Sequence, residues 1–280
     1  MKGRRLADWA ALPALAFTGA CFAVPLSVMI VYSLWRRVGG RIRADWTLAN
    51  YAEFFAKDYL VGALVNSLEV TAITTVISVA LAYPLAYVLA YRVPARWQRL
   101  ALIMAILPFW TSYVIRSYAW LLVLSPNGVL NAMLLAAGVI DQPLAMANQR
   151  GATVLGFVHF FTMLLTLTIF ANLVQIKPSY RLAANDLGAS AWQAFVRITL
   201  PLSLPGVMVG AFLTFVVAIG DYITPQILGG SKELLLPQVI MLQVMRRADL
   251  PMASAMSVVL MAVVSVIFLA FARHLKMERV

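Results

Sequence analysis

The sequence predicts an all-α integral membrane protein with six transmembrane helices, and three observations lead there. Hydrophobic residues fill 62% of the 280 positions and charged residues only 12%, against about 45–50% and about 25% in soluble domains. Six apolar runs are each long enough to cross about 30 Å of hydrocarbon, which takes about 20 helical residues. The alternation that a transmembrane β-barrel requires is missing, so the spans are helices. With most of the chain in lipid, residues 1–280 are expected to form a single transmembrane domain. There is no room for a separate soluble catalytic domain.

The first run, Trp9–Trp35, follows a basic start (Lys2, Arg4, Arg5), as the core of a signal peptide would. It is too long for that role and is expected to stay as the first helix. The other spans are expected near Val61–Tyr91, Leu100–Leu124, Ala152–Ile176, Leu202–Leu228 and Met252–Ala272. Trp9, Trp35, Tyr91 and Trp97 lie near their ends, as interfacial aromatic belts do. Between spans, Arg36–Leu60 reads as a polar loop with a short helix starting at Leu48–Tyr51. Ser125–Asn131 is a turn leading into a short apolar helix, Val129–Ile140, expected to lie along the surface. Gly229–Pro237 is a second turn-rich loop.

Charge sets the orientation. If both termini share one side, its segments hold twelve basic residues: Lys2, Arg4, Arg5, Arg92, Arg96, Arg99, Lys177, Arg181, Arg197, Arg273, Lys276 and Arg279. The opposite loops hold nine, Arg36, Arg37, Arg41, Arg43, Lys57, Arg150, Lys232, Arg246 and Arg247. The bias is modest because the first of those loops is unexpectedly basic. Every segment on the first side is nonetheless basic, which points to cytoplasmic termini. The net charge of +11 would suggest nucleic acid in a soluble chain; here it reports topology and anionic lipid. Cys21 is the sole cysteine, so no intrachain disulfide is expected, and His159 and His274 lack metal-ligand spacing.

The loop between the fourth and fifth spans is the most informative stretch. From Ala183 to Gly206 the chain reads A-A-N-D-L-G-A-S-A-W-Q-A-F-V-R-I-T-L-P-L-S-L-P-G. Ala183, Ala184, Asp186, Leu187, Gly188, Ala189 and Ser190 form a mixed, small-residue segment. An amphipathic turn carrying Trp192, Phe195 and Ile198 follows. Two short helices with a glycine bend are the natural reading. Small residues at the bend let another surface approach closely, and Leu187 and Phe195 are apolar knobs. Burying each knob on a partner would contribute roughly 1.5–3 kcal/mol.

This stretch resembles the cytoplasmic EAA loop of ABC-importer permeases, whose pattern is Glu-Ala-Ala, three residues, Gly, then a run ending in Leu-Pro. Agreement runs through Ala183, Ala184, Gly188 and Ala189 to Leu200-Pro201, and Leu182 stands where the family usually has Glu. Other stretches resemble the spermidine/putrescine branch of these permeases. They are Asn66-Ser67-Leu68, the run Leu107–Tyr113 (L-P-F-W-T-S-Y) with Arg116, Ser125-Pro126-Asn127-Gly128, and Gly220–Gly230 (G-D-Y-I-T-P-Q-I-L-G-G). The resemblance covers most of the chain from Asn66 onward.

It implies a type I importer-like fold in a bacterial inner membrane, with coupling helices in the 177–201 loop. Ala183, Ala184, Asp186, Leu187, Gly188, Ala189, Ser190 and Phe195 would then couple to a cytoplasmic ATPase dimer. A second homologous permease and a periplasmic or extracellular substrate-binding protein would complete the transporter. The chain itself is expected to be non-catalytic and to bind no cofactor, with ATP and Mg on the ATPase. It has no G-x-x-x-x-G-K-[ST] loop for phosphates. No nucleic-acid partner is expected. Polyamines are the implied substrates; aminoalkylphosphonates, opines and ferric ion remain open within the same architecture.

Three ionisable residues lie well inside expected spans, Glu69, Arg116 and Asp221. Each costs about 2.5–3.5 kcal/mol facing lipid, so each should face protein or water. Arg116 and Asp221 both fall about 24 Å from the inner ends of their spans, at one level. They either form an interhelical ion pair or act separately, with Asp221 meeting a cationic substrate. Tyr222, Thr224 and Pro225 after Asp221 predict a helix break there. Glu69 shares a helix face, within about 40°, with Tyr83, Tyr87 and Tyr91. Tyr91 reads as an interfacial packing residue. Glu69, Tyr83 and Tyr87 read either as a cation path or as subunit packing. Phe109, Ser112, Arg116 and Trp120 share another face and line the same cavity or pack. The full set of candidate path residues is Glu69, Tyr83, Tyr87, Phe109, Arg116, Trp120, Asp221 and Tyr222.

Two other classes compete. A secondary transporter would use Glu69 or Asp221 as an ion site without an ATPase, leaving the small-residue loop without purpose. A membrane-embedded enzyme would need clustered His, Asp or Glu, which three scattered charges do not supply.

Overall fold

The computed structural model describes residues 2–231 and 233–272, with side chains described at residues 13, 16–231 and 233–270. Lys232, Arg273, His274, Lys276, Arg279 and the side chains of Lys2, Arg4, Arg5 and Trp9 lie outside the described residues. Six helical segments are long and apolar enough to cross a membrane. The chain groups into two units, the first holding residues up to Gly62 with Val239–Val266, the second holding Ala63–Gln238.

In the first unit, α1 (Lys2–Ser33) is followed by a two-stranded antiparallel hairpin, β1 (Arg36–Val38) and β2 (Arg41–Arg43). Gly39 and Gly40 close it at φ +57° and +80°. A two-residue turn with both φ positive matches the twist of paired strands, and glycine adopts it without steric cost. The short helix α2 (Ala49–Ala56) then turns back on α1. Buried Asn50 donates to the Ser33 and Trp35 carbonyl oxygens at 2.9 and 2.6 Å, occupying acceptors that the end of α1 leaves free. Tyr51 donates to Ser33 Oγ at 2.6 Å. Glu53 pairs with Lys57 and holds its ammonium above the usual lysine range.

The long helix α3 (Asp58–Tyr91) begins in this unit and continues into the second. The second unit is built around α7 (Arg150–Leu173). Phe157, Phe161, Leu165, Ile169 and Leu173, at intervals of four, are buried along one stripe of it. Ala82 and Ala86 of α3 pack on the Leu165–Leu173 part of the stripe with Val207.

The stretch expected as the third span is not one helix. It is α4 (Ala95–Ile106), a tight turn at Leu107–Trp110, extended residues Thr111 and Ser112, then α5 (Tyr113–Leu124). Each piece packs on α7. Pro108 has no N–H for the helix ladder, and the chain tightens there before breaking. This corrects the continuous Leu100–Leu124 helix expected from hydropathy. Tyr113–Ala136 also has the length and hydropathy of a span, but it is not a straight crossing. The chain turns at Ser125–Gly128, where the Gly128 N–H donates to the Ser125 carbonyl at 2.8 Å. The next helix, α6 (Val129–Ala136), packs back on α5 and ends short of the expected Ile140.

After α7 come α8 (Pro178–Asp186), α9 (Ala191–Ala194), a wide π-type turn at Phe195–Thr199, and α10 (Leu200–Gly220). The fifth span stops at Gly220 rather than running on to Leu228, and α11 (Ile223–Leu228) follows separately. The break expected at Asp221 is present. Next, α12 (Leu236–Leu242) runs into a π-type turn at Gln243–Arg247, and α13 (Leu250–Ala272) is the sixth span.

Gly206 and Gly210 bring α10 close to α7. A Cβ on Gly206 would fall 2.4 Å from Asn172 Cγ and 2.7 Å from its Cβ, and one on Gly210 would fall 2.9 Å from Leu165 Cδ2. The G-V-M-V-G spacing is the small-xxx-small pattern by which helices in lipid approach each other. Gly206→Ala is therefore expected to cost about 1–3 kcal/mol, seen as a lower unfolding midpoint of the purified protein in detergent. Gly62→Ala, where a Cβ meets nothing within 4 Å, should not lower it; equal midpoints would refute the close contact.

Candidate functional site

Two places in the second unit gather the candidate residues. The first is the loop between α7 and α10. Pro178 opens α8 at a position whose N–H has no helical partner anyway. At the other end the Ala183 carbonyl accepts the Leu187 N–H at 3.1 Å and the Ala184 carbonyl accepts the Ala189 N–H at 2.9 Å. Gly188 sits at φ +83°, the left-handed residue that such a helix terminus demands. Ser190 and Gln193 then cap α9 reciprocally: Ser190 Oγ accepts the Gln193 N–H at 3.3 Å, and Gln193 Oε1 accepts the Ser190 N–H at 2.8 Å. The bent helix pair read from the sequence is formed, and local hydrogen bonds fix its angle.

Its surface divides in two. Leu187 is 89% exposed and Trp192 70%, with Leu182 and Tyr180 also open. Asp186, Gly188 and Ser190 are exposed beside them, while Ala189 is half-buried. Phe195 instead faces the span bundle. Its ring meets Tyr83 at 5.9 Å and Tyr87 at 5.3 Å, both edge-on, and Trp192 at 5.4 Å. Tyr83 also shares a 2.8 Å hydrogen bond with Ser203 of α10. One turn on, Tyr91 donates to the Leu173 carbonyl at 2.9 Å, and the Arg181 guanidinium of α8 lies 3.8 Å over its ring. Gln98 Nε2 donates to the Leu89 and Ala90 carbonyls at the end of α3.

The tyrosine stripe of α3 is thus joined to the loop rather than to Glu69. Glu69 is exposed and pairs with Arg150, at the start of α7, at 2.5 Å. The two ends of that helix face hold different structures, about 21 Å apart for fourteen residues of helix.

The second place is where the third and fifth spans both break. Asp221 has extended backbone, and its carboxylate accepts the N–H groups of Ile223 at 2.8 Å and Thr224 at 3.3 Å, starting α11. Tyr113, first residue of α5, donates its hydroxyl hydrogen to Asp221 Oδ2 and also meets Thr224 Oγ1. Arg116 is 7% exposed. Its Nη2 donates to the Thr111 carbonyl at 2.9 Å and the Phe109 carbonyl at 3.3 Å, acceptors left free by the break. Its guanidinium lies 5.3 Å from the Phe160 ring centre. Phe109 stacks on that ring at 5.2 Å and Tyr113 meets it edge-on at 5.1 Å.

The expected alternative of an Arg116–Asp221 ion pair is not formed: the ion pairs among the described residues are Lys57–Glu53 and Arg150–Glu69. Tyr113 links the two breaks instead. Arg116 Nε and Nη1 are buried without a partner. One turn further on, Trp120 donates to His159 Nδ1 at 2.8 Å. Tyr222 is partly exposed beside the break. Sequence reasoning missed Tyr113 and Phe160 as parts of this arrangement. Tyr113 closes the L-P-F-W-T-S-Y stretch and was the available signal; Phe160 is one of several aromatic residues in a largely apolar run, where no spacing set it apart.

Residues 99–277 match the family described as binding-protein-dependent transport system inner membrane component. The spermidine/putrescine transport system permease protein PotB of Salmonella typhimurium is 34% identical over 232 residues, covering 83% of this chain and 80% of the relative. Its Haemophilus influenzae counterpart is 30% identical over 255 residues, covering 91% and 88%. A chain of a bacterial alginate ABC transporter, solved in complex with an alginate pentasaccharide-bound periplasmic protein, superimposes with a TM-score of 0.78 at 19% identity. It covers 99% of this chain and 96% of that one, and shows the same fold. With six spans, a bent helix pair between the fourth and fifth, and relatives of this identity over most of its length, the chain belongs to the binding-protein-dependent transport system inner membrane components, the permease subunits of ABC importers.

Proposed function

We propose that this permease carries polyamines into the cytoplasm as part of an ATP-driven complex, with both termini inside. A soluble binding protein delivers the substrate outside, and a second permease completes the channel. An ATPase dimer, which alone binds ATP and Mg, grips the 177–201 loop. The observation that carries the coupling role is the divided surface of that loop. Leu187 and Trp192 stand open at the glycine bend, while Phe195 and Arg181 tie the same loop to tyrosines of α3. A load on the open side therefore reaches the spans through packed aromatic rings. Leu182, in the place of the usual Glu, is 61% exposed and supplies an apolar contact there.

The polyamine assignment is supported by the names of the relatives and by Asp221, a carboxylate at a helix break. Unwound backbone and a carboxylate form the kind of cavity in which a transporter holds a cation. Phe109, Trp120 and Tyr222 lie around or beside the broken spans. Arg116 holds the break in the third span, and Glu69 with Arg150 belongs to the outer end of the path. Tyr83 and Tyr87 transmit motion rather than touch substrate. A second reading has one observation in its favour. The unpartnered Nε and Nη1 of Arg116 are donors that a phosphonate or carboxylate would fill, as in an aminoalkylphosphonate importer.

ATPase stimulation of the reconstituted complex by polyamines, aminophosphonates and ferric ion, each with its binding protein, decides between these. Stimulation confined to aminophosphonates would overturn the polyamine reading. Leu187→Asp is expected to cut transport-coupled ATPase activity at least about tenfold with no loss of folded protein, because a charge would be buried at the docked surface. Unchanged coupling would remove this surface from the ATPase contact. Asp221→Asn keeps a cap for α11 but loses the charge, and is expected to slow spermidine uptake about tenfold or more in proteoliposomes. Equal uptake would take Asp221 out of the path.

A further inference from the structure

The hairpin β1–β2 holds four arginines in eight residues, R-R-V-G-G-R-I-R. Its register sets Arg36 opposite Arg43, Val38 opposite Arg41, and Arg37 opposite Ile42. Side chains alternate across a strand, so Arg36, Val38, Arg41 and Arg43 share one face and Arg37 and Ile42 the other. The second face is held to the protein, since the Arg37 guanidinium donates to the Arg247 carbonyl oxygen. The first face is turned away from that contact. All its residues are exposed, and its three guanidinium groups have no side-chain partner among the described residues.

Like charges directly opposite each other destabilise a strand pair, and a lone two-stranded hairpin is marginal to begin with. Here the nearby carboxylates do not neutralise the face. Glu53 is paired with Lys57, Asp249 caps α13 through the Met252 N–H, and Asp45 is the one acid adjoining the hairpin in sequence. Arg246 and Arg247, both exposed in the turn that Arg37 bonds, extend the positive surface.

We propose that the Arg36–Arg41–Arg43 face is a docking surface for acidic side chains on the soluble substrate-binding protein. The inference rests on the importer reading above, which puts residues 36–60 and 229–249 on the outer side of the membrane. Guanidinium forks match carboxylates in a planar, two-bonded geometry, and every basic residue of the hairpin is Arg. A cluster of this sign also repels a free polyamine while steering an acidic carrier inward. The patch therefore favours delivery by the carrier over entry of unbound substrate. Anionic lipid is the weaker occupant, because the negative surface potential that recruits basic segments belongs mainly to the cytoplasmic leaflet.

The test uses the complete transporter in nanodiscs of neutral phosphatidylcholine, and again with phosphatidylglycerol. ATPase stimulation is titrated with its purified spermidine-loaded binding protein, for the wild type and for the Arg36→Gln, Arg41→Gln, Arg43→Gln triple variant. In neutral discs the half-saturating concentration of binding protein is expected to rise about tenfold in the variant at about 50 mM salt, and to differ little at about 500 mM. Maximal and basal rates should stay at wild-type values and the unfolding midpoint should not fall, because the three residues are exposed and have no side-chain partner among the described residues. Equal half-saturating concentrations at low salt would overturn the proposal, and so would a difference seen only with phosphatidylglycerol, which would assign the face to lipid. A wild-type complex that the binding protein does not stimulate would overturn the importer reading itself.

Discussion

Inside hydrocarbon a backbone N–H or C=O has no water to bond, so any interruption of a helix must be satisfied from within the protein. That requirement organises this chain. The third span breaks at Thr111–Ser112, and Arg116 reaches back to the freed carbonyls. The fifth breaks at Asp221, whose carboxylate takes up the first N–H groups of the next helix. One charged side chain serves each break, Arg116 meeting freed acceptors and Asp221 freed donors. Tyr113 then joins the two. The ends of α1 and α3 follow the same rule through Asn50 and Gln98. These side chains hold the interrupted backbone in place.

What could be read in advance follows from which forces are local. Six spans were legible because hydropathy over twenty residues does not depend on neighbours. The break at Asp221 was legible because a charge and a proline fall together. That at Thr111 was hidden, since apolar residues continue on both sides of Pro108. The shared level of Arg116 and Asp221 was drawn from the rise of unbroken helices, and the turn and extended residues before Tyr113 interrupt that count. Whether two side chains touch depends besides on how each helix is rotated about its axis, which rise does not contain. Gly39-Gly40 was the available sign of the hairpin. It carried little weight because the strands are only three residues long and neither face is consistently apolar.

The bend of the loop could be read from Gly188 and its surface from Leu187, since exposed local motifs need no tertiary partner. Phe195 was expected to point outward with Leu187 and instead faces the bundle. The wide turn at Phe195–Thr199 changes the angular advance per residue, so a face drawn at helical pitch no longer continues through it. Tyr83 and Tyr87 of α3, which share a helix face with Glu69, are claimed by this ring and by Ser203.

The stack of Arg181 on Tyr91, and the bond from Tyr91 to the last turn of α7, carry a thermodynamic obligation. If a protein bound at the loop biases how the spans are arranged, then the arrangement of the spans must bias the grip of that protein by the same factor. Anything that shifts the spans would thus be felt as a change in affinity at the loop, with no messenger other than packed rings.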